Sequence, residues 1–172
     1  MNARDHFLTL ARYNVWATDR LLERHVAQLS DDEYRRDVGL FFKSVHGTLN
    51  HLLLAERFLW FERFANGESP KRKLDEEVHA DRAALQAALR QAVREWIPTI
   101  ESWDAARFDG TLRYTSTGGV TRAVPFAPAL THVFNHGTHH RGQISAALTG
   151  LGHSAPELDL LYPVLAEAAR QP

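Results

Sequence analysis

Residues 132–148, HVFNHGTHHRGQISAAL, contain four of the ten histidines of this 172-residue chain. Apolar residues recur at helical spacing through this stretch and on either side of it, which predicts a helix. His136 and His140 stand four residues apart, and in a helix such residues lie one turn apart on the same face. Two imidazoles placed in this way can bind one metal ion, so the stretch predicts a helix that supplies two metal ligands.

The apolar stripe of this helix separates the four histidines. At roughly 100° per residue, and with His136 set at zero, the stripe spans about 60° to 120°. His140 falls near the edge of the stripe and His136 just beyond it, whereas His132 and His139 fall further toward the outside. The geometry favours His136 and His140 as the inward pair, with His132 and His136 as the competing pair. The stripe consists of Leu130, Val133, Ile144, Leu148 and Leu151.

A second interpretation of these histidines is structural. A histidine on an apolar face is more often a hydrogen-bonded core residue than a ligand, because buried polar groups usually find a protein partner. The clustering of four histidines makes a metal site an equally strong interpretation. The pair lacks the glutamate of the H-E-x-x-H protease signature, because Gly137, Thr138 and His139 lie between the two histidines.

The composition is that of a globular domain. Hydrophobic residues make up 44% and charged residues 24%, which predicts one domain over residues 1–172 with a sizeable core. The net charge of −1 gives no reason to expect nucleic acid or an anionic membrane as a partner. The lack of cysteine excludes disulfides and thiolate ligands. Because Asp5 and Arg12 interrupt the N-terminal stretch and no apolar run could span a membrane, we expect a cytoplasmic protein.

The first half of the chain predicts two long helices. Residues 3–29 read as one amphipathic helix, and residues 30–33, SDDE, form a capping box that begins a short helix. Gly39 ends that segment. Residues 44–64 predict the second long helix, and the Asn-Gly pair at 66–67 marks its end.

The second half predicts two more long helices around a hairpin. Asp75 or Asp81 caps the third helix, which runs to about Trp103, and Pro98 is expected to kink or shorten it. Residues 110–126 alternate in polarity around two glycines, which predicts a small β-hairpin. The fourth helix begins at the following prolines and ends at a glycine at 150 or 152. A last helical segment over 157–170 is expected to break near its proline. The predicted fold class is all-α, an up-down four-helix bundle with a hairpin between helices three and four.

A third metal ligand is expected from a facing helix, because metal sites in bundles combine side chains of several helices. His51 and His46 are both available on helix two, and periodicity does not choose between them. Histidine suits zinc, nickel, copper or iron rather than magnesium or calcium. Three histidines leave an open coordination position, as in a catalytic site. Gln143, near the pair, could orient a bound group, although a surface position is the simpler interpretation.

Three stretches, YNVWATDRLL, LNHLLLAERFLW and NHGTHHRGQI, resemble the motifs of the DinB family of damage-inducible, YfiT-like metalloproteins. The resemblance covers nearly the whole chain. It implies an up-down four-helix bundle, usually a homodimer, with a divalent metal held by three histidines. Matched to the motifs, the ligands are His51, His136 and His140. The resemblance argues against a ligand role for His139 and allows His132 to support a ligand.

The resemblance implies two functions of different classes. In the first, a divalent transition metal, foremost zinc or nickel, activates a low-molecular-weight thiol or water against a small electrophilic substrate, as in a thiol transferase or hydrolase. No catalytic acid or base is identified. In the second, a stress-induced metal-binding or scaffold protein uses the ion only to lock helices two and four together. A catalytic site needs a cavity and an open position, whereas a structural site is closed and its loss unfolds the protein.

Overall fold

A computed structural model describes residues 2–170 and shows a mostly helical chain with one two-stranded antiparallel sheet. No helix among these residues is long and apolar enough to cross a membrane. The elements are α1 (Ala3–Arg24), α2 (Asp31–Arg35), α3 (Val45–Leu53, continued in π-helical geometry by Leu54–Asn66), α4 (Arg82–Ser102), β1 (Thr111–Thr115), β2 (Thr121–Pro125), α5 (Phe126–Gly150) and α6 (Leu161–Ala168).

The first helix is shorter than its periodicity predicts. It ends at Arg24, and the prediction of one helix to residue 29 was wrong, because the chain forms a 3₁₀ turn over Val26–Gln28 instead. That turn brings Val26 and Leu29 into the core. The capping box that follows forms as predicted, with the Ser30 hydroxyl accepting a hydrogen bond from the Glu33 backbone.

The second long helix changes its geometry part-way. Ser44 caps it through the backbone N–H of Gly47, and from Leu54 onward the helix is wider, with π-type turns. Gly67, with φ of 69°, ends it in the left-handed conformation that glycine adopts at little cost. π-Type turns are uncommon and frequently lie at functional sites. Here they place two ionisable side chains, Glu56 and Arg63, on the buried side of the helix.

The predicted end signals of the third helix are partly correct. Asp81 rather than Asp75 caps α4, and its side chain accepts a hydrogen bond from the Ala84 backbone. α4 runs to Ser102, which confirms the predicted end near Trp103, and of the two effects expected of Pro98 the shortening does not occur. Trp96 and Ile100, on either side of the proline, are fully buried, and their packing holds the last turns in helical form.

The hairpin lies between α4 and α5, as the sequence predicts. Its strands pair from Thr111 opposite Pro125 to Thr115 opposite Thr121. α5 follows β2 directly and runs to Gly150. The last helical segment is shorter than predicted, because α6 begins at Leu161 and contains its proline in the first turn, where the missing N–H costs no helical hydrogen bond.

Helices α1 and α3 each pack against both α4 and α5. Their buried side chains form two hydrophobic clusters. Leucines and valines dominate one cluster, whereas aromatic residues such as Phe64, Trp96 and Phe126 dominate the other. The site described below lies where α3 and α5 meet. The up-and-down order of a four-helix bundle stays a prediction.

Candidate metal centre

Three histidines from two helices meet at one point. His51 of α3 and His136 and His140 of α5 each present an imidazole nitrogen, and the three nitrogens lie within 4.8 Å of one another. The Nε2 atom of His136 is 3.2 Å from that of His51 and 3.1 Å from that of His140. The structure therefore brings together the three residues that the sequence motifs single out, and these residues could hold a metal ion.

Hydrogen bonds at the outer nitrogens fix which nitrogen of two rings carries the proton. The Nδ1 atom of His51 is 2.8 Å from the carbonyl oxygen of Leu74, which can only accept, so this Nδ1 donates. The Nδ1 atom of His140 lies 2.7 Å from Oε1 of Gln143 in the same relationship. In the neutral ring the opposite nitrogen then carries a lone pair. Both Nε2 lone pairs point at the Nε2 atom of His136.

This convergence fits a metal ion better than it fits three histidines alone. One proton on the Nε2 atom of His136 can satisfy only one of the two facing lone pairs. A cation satisfies all three nitrogens at once. Tetrahedral zinc with nitrogen ligands at about 2.0–2.1 Å requires the ligand nitrogens to be about 3.3 Å apart, close to the two distances found here. Ligand imidazoles typically donate their other N–H to a carbonyl or amide oxygen, as His51 and His140 do.

The environment keeps the three rings neutral. Burial, together with the smaller effects of the neighbouring His140 and His51, lowers the pKa of His136 to about 3. Burial likewise lowers the pKa of His140 to about 4, against the opposing effect of its bond to Gln143, and burial lowers the pKa of His51. Neutral imidazole is the form that binds a metal. At neutral pH the site is therefore ready to accept a cation without first losing protons.

The lowered pKa values predict how the stability of the metal-free protein depends on pH. The unfolded chain binds protons near the ordinary histidine pKa of 6.5, whereas the folded rings of His136 and His140 do not. The free energy of unfolding therefore falls as the pH drops below about 6.5, by on the order of 1 kcal/mol per histidine at pH ~5. Urea denaturation in the presence of a chelator at pH ~7.5 and ~5 measures this loss. In His136→Gln the loss is expected to be clearly smaller, and an unchanged loss would contradict the assignment.

A tight turn covers one side of the site. Phe42 stacks on the His51 ring, with centroids 3.8 Å apart and planes 17° from parallel. The turn approaches α3 so closely that a Cβ atom at Gly47 would lie 2.2 Å from the carbonyl oxygen of Phe42. Lys43 adopts a positive φ of 67° to close the turn. Gly47 thus allows the turn to hold an aromatic ring against a ligand.

A cavity of about 450 Å³ lies beside the three histidines, and Phe42 of the turn also lines it. Trp60 and Arg63 of α3, Tyr114 of β1 and His132 of α5 line it together with the triad. The Trp60 ring packs edge-on against His132, with centroids 5.0 Å apart, and His132 lies 5.7 Å from His136. The cavity is thus an aromatic chamber with the imidazoles in one wall.

The remaining candidates from the sequence take other positions. His46 is not brought to the triad: its Nε2 atom lies 2.7 Å from a carboxylate oxygen of Glu77. His139 is exposed; it lines the cavity and packs edge-on against the His140 ring, but it is not part of the three-nitrogen group. His132 lines the cavity but is not part of the three-nitrogen group. The surface interpretation of Gln143 was wrong, because its side chain lines the cavity and holds the His140 ring.

Sequence reasoning missed a buried polar network behind the triad. The side-chain amide of Asn14 in α1 donates to Oε2 of Glu56 at 2.7 Å, and its oxygen accepts from Arg141 of α5. All three residues are at most 2% exposed. A signal was present: at roughly 100° per residue Arg141 falls near 140°, beside the apolar stripe and not opposite it. A charged residue there needs a buried partner.

Comparisons with known proteins agree with this architecture. The sequence matches the profile of the DinB family over residues 1–171. The chain belongs to the DinB family. It is 26% identical over 161 residues to Protein DinB of Bacillus subtilis (strain 168), covering 90% of this chain and 91% of that protein. The fold is similar to the crystal structure of a DinB-like protein from Bacillus cereus ATCC 10987, with a TM-score of 0.65 and 17% identity over 89% of this chain and 95% of the other. The motifs that resemble the DinB family thus lie in a chain whose sequence and fold both match it.

Proposed function

We propose that this DinB-family protein is a metal-dependent enzyme. His51, His136 and His140 would hold one divalent transition metal ion, with zinc or nickel the best match to three imidazoles. The observation that carries the proposal is the convergence of three Nε2 atoms in the wall of an aromatic cavity. The four long helices would form an up-and-down bundle, and the protein would act as a homodimer, since Leu161 and Leu165 of α6 are more than 60% exposed.

The reaction class follows from the ligand set. Such an ion lowers the pKa of a bound water or thiol and so supplies a nucleophile at neutral pH. Three protein ligands leave a position for that nucleophile, and the cavity has room for a small electrophile beside it. We infer transfer of a low-molecular-weight thiol, or of water, to a small electrophilic substrate.

The residues of the chain have defined tasks in this scheme. The carbonyl of Leu74 and the side chain of Gln143 hold protons on the outer nitrogens of two ligands, so that the inner nitrogens stay free to bind. Phe42 covers the His51 ring and shields that side of the site from water. Trp60 and Tyr114 give the cavity apolar walls, which favour an organic substrate over bulk water.

A structural ion is the second candidate. The ligands come from two helices, so an ion there would also cross-link α3 to α5. In that case removal of the metal would mainly lower the melting temperature, and no turnover would accompany binding.

The experiment that separates the two uses protein stripped with a chelator and reconstituted with zinc or nickel. Thiol transfer is followed with glutathione or cysteine and monobromobimane, and hydrolysis with a nitrophenyl ester. We expect one metal per chain and turnover that falls more than about a hundredfold without metal and in His51→Ala. His139→Ala serves as the matched control for metal binding and should keep the metal, since His139 lines the cavity but lies outside the three-nitrogen group. Metal binding without turnover, joined to a large drop in melting temperature on stripping, would favour the structural ion.

A further inference from the structure

Arg63 is a buried cation in the wall of the same cavity. It lies on the π-helical part of α3, is 5% exposed, and lines the cavity together with the triad. Its guanidinium carbon lies 4.6 Å from the centroid of Trp60 and 4.6 Å from that of Tyr114, and because these two centroids are only 5.4 Å apart, both rings lie to one side of the guanidinium. Two rings lie in sequence between the guanidinium and His136: Trp60 packs against His132, and His132 lies next to His136.

The hydrogen bonds of Arg63 are incomplete. Within residues 2–170 its Nε atom is buried and has no partner, and its Nη2 atom donates only to the carbonyl of Thr115 at the long distance of 3.5 Å. No carboxylate of these residues forms an ion pair with it. Other arginines of the chain do form ion pairs: Arg57 pairs with two glutamates, and Arg90 pairs with an aspartate and a glutamate.

A buried charge without a counter-ion is costly, and the two aromatic rings offset only part of that cost. The rings lie to one side of the guanidinium, and within residues 2–170 its Nε–H group has no partner, so its N–H groups are left to bind a ligand. A guanidinium edge presents parallel donors that match the two oxygens of a carboxylate. No Asp or Glu is among the cavity-lining residues, so within the described chain no acidic side chain of the cavity competes for this position.

We propose that Arg63 binds the carboxylate of a small organic substrate and so holds that substrate in the cavity beside the three histidines. The substrate role rests on the proposed enzymatic function, whereas the anion site itself does not. A single buried positive charge beside an aromatic wall fits a monoanionic carboxylate better than a phosphate dianion. The substrate class is then a small, partly apolar carboxylic acid with an electrophilic centre.

The test uses the full-length protein as purified and two probes of equal shape, benzoate and the uncharged benzamide, with inorganic phosphate as a third. Binding is measured by titration calorimetry and by the shift of the Trp60 indole signal in NMR spectra. We expect benzoate to bind at least about tenfold more tightly than benzamide or phosphate, and Arg63→Met to weaken benzoate about tenfold to a hundredfold. Arg63→Lys keeps the positive charge but loses the paired N–H donors of the guanidinium, so its affinity for benzoate should lie between those of the wild type and Arg63→Met. Arg107→Met serves as the matched control, since Arg107 packs on Trp103 and Phe126 away from the cavity and should leave binding unchanged.

The outcomes distinguish this proposal from the one it extends. Equal binding of benzoate to wild type and Arg63→Met, or of benzoate and benzamide to wild type, would overturn the carboxylate site. The benzamide comparison keeps the proposal falsifiable even if Arg63→Met does not fold. Equal, Arg63-dependent binding of phosphate would overturn the carboxylate assignment. Arg63-dependent benzoate binding in a protein without metal-dependent turnover would leave the anion site standing and remove the enzymatic function.

Discussion

Replacing His136 by alanine is expected to abolish stoichiometric metal binding. His136 is the central ligand: its Nε2 atom is the one that lies within 3.2 Å of both other Nε2 atoms. Without it two imidazoles remain, and two ligands seldom hold zinc or nickel in a protein. We expect the dissociation constant for zinc to rise more than about a hundredfold, because even residues that merely support a ligand account for ten- to a hundredfold. Competition with a chromophoric chelator and elemental analysis of the purified variant measure the effect.

The neighbouring histidine provides the control. His139→Ala removes an imidazole from the same helix, but the His139 ring is exposed and lies outside the three-nitrogen group. The affinity of His139→Ala for zinc should stay within about twofold of that of the wild type. A variant lacking His136 that still bound zinc as tightly as the wild type would show that the convergence of nitrogens is a feature of core packing alone.

The pair on α5 could be found from sequence because both of its members lie on one helix. Spacing of four residues and the apolar stripe are local properties, so the sequence alone favours His136 and His140 as the inward pair. The third ligand is a tertiary property. Which of His46 and His51 faces α5 depends on the orientation of α3, and periodicity could not decide it. The family motifs favoured His51, the residue that the structure places against His136.

The features that sequence reasoning missed have a common physical origin. Local patterns classify a residue as apolar or polar, and so Glu56 and Arg63 read as ordinary polar positions of an amphipathic helix. The π-type turns of α3 place Glu56 and Arg63 on the buried side, and no local pattern in the sequence predicts that change of helix geometry. The early end of α1 and the unbroken passage of α4 through Pro98 belong to the same class, because packing decided each of them over local propensity.

The buried network of Asn14, Glu56 and Arg141 should be the most sensitive part of the core. Burial raises the pKa of the Glu56 carboxyl, and the charge of Arg141 and the amide of Asn14 counteract that rise. The network requires a glycine beside it, because a Cβ atom at Gly137 would lie 3.0 Å from both Arg141 Nη1 and Glu56 Oε1. It connects α1, α3 and α5 immediately behind the turn that separates the two α5 ligands.

We expect Arg141→Met to lower the free energy of unfolding by about 3–5 kcal/mol. Methionine fills most of the volume of the arginine, so the loss comes from leaving the buried Glu56 carboxylate without its cation. For a protein of this size each kcal/mol corresponds to roughly 2–4 °C in melting temperature. Arg94→Met is the matched control: Arg94 is about half exposed and pairs with Asp19 at the surface, where such pairs contribute below about 1 kcal/mol. Urea denaturation of the two variants beside the wild type gives both values.

The dependence of this loss on pH identifies its cause. Without Arg141 the pKa of folded Glu56 rises further above its value in the unfolded chain, so the folded variant binds a proton more readily than the unfolded one. Stability then decreases as the pH rises, and the loss caused by Arg141→Met should be larger at pH ~8 than at pH ~5. Glu56→Gln removes the unpaired charge and should recover a large part of the loss in the double variant. A loss that is independent of pH, and that Glu56→Gln does not relieve, would mean that Arg141 acts through its packing and not through its charge.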